Sequence, residues 1–295
     1  MKQAILITFS ILHWFSVTGQ NQVEMKWKIN ANDTLIYTTV MEQIDSSYFE
    51  ADFGGVFSAI IDSTSDEHAN KAKTMMKEIN NAIGKTQYAV RLLKPKANLI
   101  NIEMFTIDEK QPINLSDTQD QKETEMIKSF QQMIKGVVLR GSIFDNGTIH
   151  SFWIKRAQKN LIAMLFELPG KKVRVGDTWS LTTNLIGNDQ NFVCDSSYYK
   201  NEVKLVDVKE INGDQIAVLK YDLKEYVNGV FNMPNMFGQG GSKPTIMSFG
   251  FKGIAEFSID KGRWVSYDGV MFGDATGVMN TKQRVKYALF EQDNN

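Results

Sequence analysis

The chain has 295 residues, of which 42% are hydrophobic and 11% aromatic, which is enough apolar material for a core and argues against disorder. Its 33 Lys and Arg residues nearly balance 34 Asp and Glu residues, for a net charge of −1, so electrostatics gives no basis for binding nucleic acid or an anionic membrane. The single cysteine, Cys194, excludes a disulfide bond within the chain.

The first 19 residues have the layout of a secretory signal peptide. Lys2 supplies a positive start, residues 4–15 are apolar, and residues 17–19 place small or permissive side chains before a cleavage site. The apolar run is too short to span a membrane as a helix, and the alternative is a buried N-terminal helix or strand. We therefore expect an exported protein, in the periplasm, on the outer surface or secreted, with no transmembrane segment after the signal is removed.

Two hairpins are predicted in the N-terminal part of the mature chain, residues 20–135. Apolar and polar residues alternate over residues 23–29, and the β-branched stretch 34–44 follows a turn, which together predict the first hairpin. Residues 87–93 and 99–107 flank a loop that contains a proline and predict the second. Antiparallel sheet is therefore expected in this part of the chain.

Two amphipathic helices are predicted in the same part of the chain. Apolar residues recur every three or four positions over residues 66–83, and Gly84 follows as a C-terminal stop. A second helix is predicted to follow Ser116, which has capping-box spacing, and to end at Gly136.

The densest structural signals lie in residues 136–179. Asn146 and Gly147 form a strong hairpin signal between two strand-like stretches, because both tolerate a positive φ angle. Residues 154–168 keep helical spacing, and residues 161–166 are apolar almost all round, so this helix should be covered by protein on more than one side. A proline-glycine pair stops the helix, and a Gly-Asp turn leads into a further strand at Trp179.

The remainder of the chain predicts only strands, joined by tight turns into an antiparallel meander. The predicted strands are residues 197–211, 215–227, 246–259, 263–273 and 278–291. Residues 228–244, rich in Gly and Met, are predicted to form a loop.

The expected fold class is therefore α+β: a mainly antiparallel sheet, as a curved sheet or half-barrel, with about three helices and an all-β C-terminal meander. Residues 136–295 are expected to pack with residues 20–135 as one unit.

Several blocks of the sequence carry a resemblance to a known family. They are Thr18-Gly19-Gln20, residues 147–153 (GTIHSFW), residues 158–161 (QKNL), residues 166–169 (FELP) and residues 175–179 (VGDTW). On these blocks the chain resembles a family of uncharacterised exported proteins of Bacteroidetes, which implies an exported, β-rich domain and assigns no functional residue. In the order of its elements it is also similar to bacterial lipoprotein-carrier folds, in which a curved sheet shelters an apolar ligand under helices.

Catalytic chemistry is suggested at one histidine. His150 lies beside Ser151 and near Asp145, which raises the hypothesis of a hydrolase. In a hairpin, however, Asp145 and His150 flank the turn, and no nucleophile elbow is present. A surface histidine on a strand is the simpler interpretation, and a serine, threonine or cysteine side chain within reach of His150 is what the hydrolase hypothesis requires.

No metal, cofactor or nucleotide site is predicted. The acidic cluster with His68 at residues 62–68 is explained by carboxylates near a helix N-terminus, and Met233, Met236 and Met247 are better suited to apolar packing than to metal binding. Cys194 has no CxxC partner and an acidic neighbour, which argues against a nucleophile.

The leading hypothesis is an exported, non-enzymatic cell-envelope protein that binds an apolar ligand in a cleft between sheet and helix, since such clefts are lined by aromatic and Met side chains. The candidate ligand-binding residues are Phe231, Met233, Met236, Phe237, Met164 and Phe166. The expected partner is a hydrophobic small molecule or an envelope protein. The alternatives are a protein–protein interaction module of the envelope and a hydrolase that uses His150.

Overall fold

The computed structural model describes most of the chain from residue 22 onward. The described residues are 22–30, 34–44, 48–51, 87–96, 98–107, 136–153, 156–186, 191–233, 241–277 and 279–292. The predicted signal peptide, the helices predicted at 66–83 and before Gly136, and the cluster at 62–68 lie outside them.

Twelve strands and one helix make up the regular structure of the described residues. In chain order they are β1 (Thr34–Gln43), β2 (Tyr48–Ala51), β3 (Gln87–Lys96), β4 (Leu99–Ile107), β5 (Val137–Phe144), β6 (Ile149–Phe152), α1 (Arg156–Phe166), β7 (Thr178–Trp179), β8 (Phe192–Ile211), β9 (Asp214–Met233), β10 (Gly241–Ser258), β11 (Arg263–Thr276) and β12 (Met279–Glu291).

All twelve strands belong to one sheet, and every pairing is antiparallel. The strand order is β6-β5-β4-β3-β1-β12-β11-β10-β9-β8-β7, and β2 pairs with β12 beside this path. The N-terminal strands and the C-terminal meander therefore meet in the middle of the sheet, where Thr39 of β1 lies opposite Leu289 of β12.

The predicted α+β class with about three helices is wrong. In the part of the chain that the structure describes, α1 is the one helix, and a single large sheet supplies the rest of the fold. The physical reason is that the sheet itself covers the all-round apolar helix, whose residues Ile162, Met164 and Phe166 are at most 3% exposed. The prediction of an antiparallel C-terminal meander is confirmed.

Two local predictions are also corrected. Residues 22–30 do not form a hairpin: Val23 makes an isolated bridge to Val173, and the amides of Trp27 and Lys28 donate to Asp145 and Gly262. The predicted loop at 228–244 is wrong for its described residues, because residues 228–233 belong to β9 and residues 241–244 to β10.

The sheet has two chemically different faces, and we call the face that packs on α1 the inner face. Along β9, inner residues such as Tyr221 and Leu223 are buried, whereas Lys220, Asp222 and Lys224 point to the outer face. The inner faces of both halves of the sheet, α1 and the segment 22–30 contribute to one hydrophobic cluster. Burial of each large apolar side chain there contributes about 1.5–3 kcal/mol.

Aromatic donors cap the C-terminus of α1, where the last carbonyls of a helix lack intrahelical partners. The hydroxyl of Tyr267 donates to the carbonyl of Met164 at 2.8 Å, and Nε1 of Trp264 donates to that of Leu165 at 2.8 Å. Nε1 of Trp27 donates to the carbonyl of Phe166 at 3.0 Å. The helix end is therefore fixed by residues from both ends of the chain.

The sheet curves around α1. The side chain of Ile162 occupies the space above Gly141 of β5, while the cap just described comes from β11. These strands are five positions apart in the sheet, or about 24 Å at about 4.8 Å per strand, whereas a helix is only about 10–12 Å wide. A flat sheet could not make both contacts.

Candidate functional site

The inner face of β8–β12 has a closed half and an open half. The closed half begins at the turns around Gly213 and Gly262, packs on α1 and contains buried inner residues such as Leu219, Tyr221 and Phe257. Farther along the same strands the inner residues Val227, Thr245, Ala275 and Thr281 stay buried, whereas five apolar inner residues become partly exposed. These five residues define the open half: Phe231 of β9, Met247 and Phe249 of β10, Met271 of β11 and Val285 of β12.

The strand register places these side chains beside one another. Leu223, Phe251, Met271 and Val285 share one rung, and Glu225, Phe249 and Gly273 share the next. A Cβ atom at Gly273 would lie 2.8 Å from the ring of Phe249, and one at Gly269 would collide with Phe251. The two rings therefore lie over glycines of β11, and they form an aromatic floor.

An irregular segment at residues 180–186, which we call the strap, is held in place by side chains on both sides. Glu167 accepts hydrogen bonds from the amide and the hydroxyl of Thr182, both at 2.6 Å. Oε2 of Glu225 accepts from the amides of Leu185 and Ile186, at 2.8 and 3.0 Å. Leu185 and Ile186 of the strap are therefore held beside Glu225, at the beginning of the open half.

Buried polar groups lie on the next rung of the closed half, which contains Trp179, Val203 and Tyr221. Neither Nε1 of Trp179 nor the hydroxyl of Tyr221 has a hydrogen-bond partner among the described residues. Burial raises the pKa of Tyr221, and the negative charge of Glu167 raises it further. Burial likewise raises the pKa of Glu167, against the hydrogen bonds from Thr182. This rung thus contains donors without a partner in the described chain.

His150 has a serine within reach. Its Nδ1 lies 3.0 Å from Oγ of Ser142, which in turn lies 2.6 Å from Oγ of Ser151. A β-bulge in β6 causes this, since Ser142 pairs with Ser151 and the next pair is Ile143 with Ile149, so that His150 is the extra residue. Ser142 is buried on the outer side of β5, and His150 is exposed. The arrangement could transfer a proton between serine and imidazole.

The structure places the predicted ligand-binding residues in different parts of the molecule. Met164 and Phe166 are 3% and 1% exposed and belong to the core, whereas Phe231 is half-exposed in the open half. Leu219 of β9 shares a rung with Tyr267, which contacts α1. Phe231 lies twelve residues farther along β9, so it is about 40 Å from that rung. Met233 is the last residue of β9, and Met236 and Phe237 lie outside the described residues.

Sequence reasoning missed Ser142, Glu225, Phe249 and Met271. The signal for the last three was present, because tight turns fix the register of consecutive strands and alternation then assigns each residue to a face. Counting outward from the turn at Gly213 would have placed Glu225 on the same face as Leu223. The bulge that turns His150 towards Ser142 has no comparable signature in the sequence.

Among the described residues, no group of three or more His, Cys, Asp or Glu residues is arranged to hold a metal ion, and Cys194 is a free, exposed thiol. The described helix is neither long nor apolar enough to cross a membrane. No family model matches the chain, and no curated protein sequence matches it either.

Proposed function

We propose that this chain is an exported, non-enzymatic protein of the cell envelope that binds an apolar ligand on the open half of the inner face. The observation that carries the proposal is the contrast between the two faces of the same strands. Beside the half-exposed Met247, Phe249 and Met271, the opposite face carries charged residues such as Lys252 and Asp274.

A sheet face in contact with water is normally polar, and only the face on the core is apolar. The open half combines an apolar surface with partial exposure, which is typical of a ligand-binding face. The aromatic floor supports this assignment, because the partly exposed ring of Phe249 lies over Gly273, where β11 has no longer side chain to cover it.

Export rests on the signal-like first 19 residues. The resemblance to exported proteins of Bacteroidetes rests on Thr18-Gly19-Gln20 and on the sequence blocks from residue 147 to residue 179. The likeness to lipoprotein carriers, whose sheets shelter apolar ligands, agrees with the same proposal and is supported only by the layout of the elements.

Binding of the neutral fluorescent probe N-phenyl-1-naphthylamine tests the proposal. Phe249→Ala removes part of the aromatic floor, and Phe272→Ala is the matched control, since Phe272 is equally half-exposed but covers Gly250 on the outer face. We expect Phe249→Ala to weaken probe binding about tenfold, the loss of about 1.4 kcal/mol, and Phe272→Ala to leave it unchanged. Absence of probe binding to the wild-type protein, together with no lipid in organic extracts of protein purified from its own envelope, would refute the proposal.

A second candidate, a hydrolase, is favoured by the contact between His150 and Ser142. In such a reaction Oγ of Ser142 attacks an ester carbonyl while its proton passes to His150; the leaving alcohol takes that proton, and water then releases the acyl group. Ser142 is only 4% exposed, which disfavours this candidate. Labelling by a fluorophosphonate probe that disappears in Ser142→Ala but persists in Ser151→Ala would establish it, and absence of labelling would end it.

A further inference from the structure

We infer, on the basis of the proposed function, that the apolar ligand carries a cationic head group, such as a long-chain amine, and that Glu225 receives it. The open half would then select among amphiphiles of equal chain length by the charge of their head group. The inference concerns the same surface as the proposed function but adds the chemistry of the ligand's polar end.

The distribution of charge on the inner face is the first observation. From Leu223 to Phe231 on β9, and on the residues paired with this inner face in β8, β10, β11 and β12, Glu225 is the one carboxylate among the described residues; Asp195 is the unpaired residue of a β-bulge in β8. The one cation on this face is Lys243, opposite Phe231 at the far end, and it already has an interaction of its own. The charged residues of these strands otherwise lie on the outer face, as in the pairs of Lys200 with Asp222 and of Arg284 with Asp274.

The position of Glu225 is the second observation. Oε2 is fixed by two amides of the strap, whereas Oε1 has no hydrogen-bond partner among the described residues. The neighbours of Glu225 on its rung are Tyr199 of β8, which is 57% exposed, and Phe249 of β10. An ammonium group beside Oε1 would therefore lie between two aromatic side chains, an arrangement that favours cations through both charge and ring quadrupole.

A ligand with an anionic head group should bind the open half less tightly. A carboxylate on the open half would lie near the charge of Glu225, and like charges in a partly buried site repel. A buried charge without a partner is also costly to desolvate. The open half therefore disfavours fatty acids and accepts amines of the same length.

The test is competition for bound N-phenyl-1-naphthylamine by dodecylamine and dodecanoate, which share one chain length and differ in the sign of the head-group charge. Glu225→Gln removes the charge and keeps an oxygen for the strap amides. Glu202→Gln is the matched control, because Glu202 lies on the outer face of β8, opposite Asp222.

We expect dodecylamine to displace the probe at a concentration at least about tenfold lower than dodecanoate, a preference of about 1.4 kcal/mol. Glu225→Gln should reduce the preference to within about threefold, Glu202→Gln should preserve it, and high salt should weaken it in the wild-type protein even if the variant is unstable. Equal displacement by both compounds, or a preference unchanged in folded Glu225→Gln, would refute the inference while leaving the proposed function intact. Failure of the probe itself to bind, together with no lipid in organic extracts of the protein, would instead refute the proposed function.

Discussion

Among the described residues, Glu167 is the one acidic or basic side chain that is buried. It is 8% exposed at the end of α1, where its carboxylate accepts two hydrogen bonds from Thr182. Burial raises its pKa above the ordinary value of 4.5, and the bonds from Thr182 only partly oppose this effect. The folded state therefore binds the proton of Glu167 more tightly than the unfolded chain does.

The raised pKa of Glu167 makes the stability of the protein depend on pH. Between pH 4.5 and the raised pKa of folded Glu167, the native state holds more protons than the unfolded state, so the free energy of unfolding falls as pH rises through this window. Glu167→Gln has no such proton, and its stability relative to the wild type should therefore increase with pH. Urea unfolding on both sides of the window measures this difference, and parallel stability curves for the two proteins would contradict the prediction.

Alanine substitutions at Gly147 and Gly213 distinguish the cost of backbone strain from the cost of side-chain crowding. Both have a positive φ angle, 81° and 80°, so an alanine pays a similar strain at each, about 1–2 kcal/mol. At Gly147 an added Cβ would also collide with the backbone and side chain of Leu168, whereas nothing lies within 4 Å at Gly213. We expect Gly147→Ala to cost about 1–3 kcal/mol more than Gly213→Ala. Equal midpoints in thermal melts would show that the contact with Leu168 relaxes freely.

At the scale of elements, we expect substitutions in α1 to lower the stability of the protein much more than substitutions in the hairpin of β5 and β6. Leu165 is 2% exposed, so Leu165→Asp buries an unpaired charge and should cost more than about 4 kcal/mol, whereas Leu165→Met should cost less than about 1.5 kcal/mol. His150→Ala should change stability by less than about 1 kcal/mol, because Ser142 retains its bond to Ser151. Thermal melts compare the variants, and equal losses in Leu165→Asp and His150→Ala would contradict this ranking.

The elements that sequence could predict are those specified by neighbouring residues. The hairpin around Gly147 and the end of α1 follow from local turn chemistry, and the structure has both. The segment 22–30 alternates like a strand, but its partners are Asp145, Val173 and Gly262, which no local pattern reveals. The Gly- and Met-rich composition of residues 228–244 suggested a loop, yet β9 and β10 extend into this stretch. β10 pairs with β11 only from Ile246 onward, so Pro244 interrupts no bond on that side.

The candidate site was predictable to a smaller extent. Its apolar character and the role of Phe231 were proposed from composition, and alternation with known turns could have added Phe249 and Glu225. The strap could not be predicted, because its attachment depends on Glu167 and Glu225 approaching it from elements far apart in sequence.

At the scale of the whole molecule, the two ends of the described chain share one core. β1 pairs with β12, and the hydroxyl of Tyr37 in β1 accepts a hydrogen bond from the amide of Trp264 in β11 at 3.0 Å. Trp27 packs against Phe257 and Trp264, with ring centroids at 5.4 and 5.8 Å. These contacts join residues far apart in sequence and couple the N-terminal strands to the meander. If residues 20–135 and 136–295 form one unit, as the sequence predicts, the protein should unfold in one cooperative transition.

Trp27 provides the test of that cooperativity. Trp27→Ala removes a buried indole and should cost about 3–5 kcal/mol, whereas Trp27→Phe keeps a ring and mainly leaves the carbonyl of Phe166 without its donor, at about 1–3 kcal/mol. If the sheet unfolds as one unit, far-UV circular dichroism and tryptophan fluorescence should report the same midpoint in each protein. Both midpoints should then fall together in Trp27→Ala. Two separated transitions, with only one of them shifted by the substitution, would mean that the N-terminal strands and the meander fold independently despite the shared core.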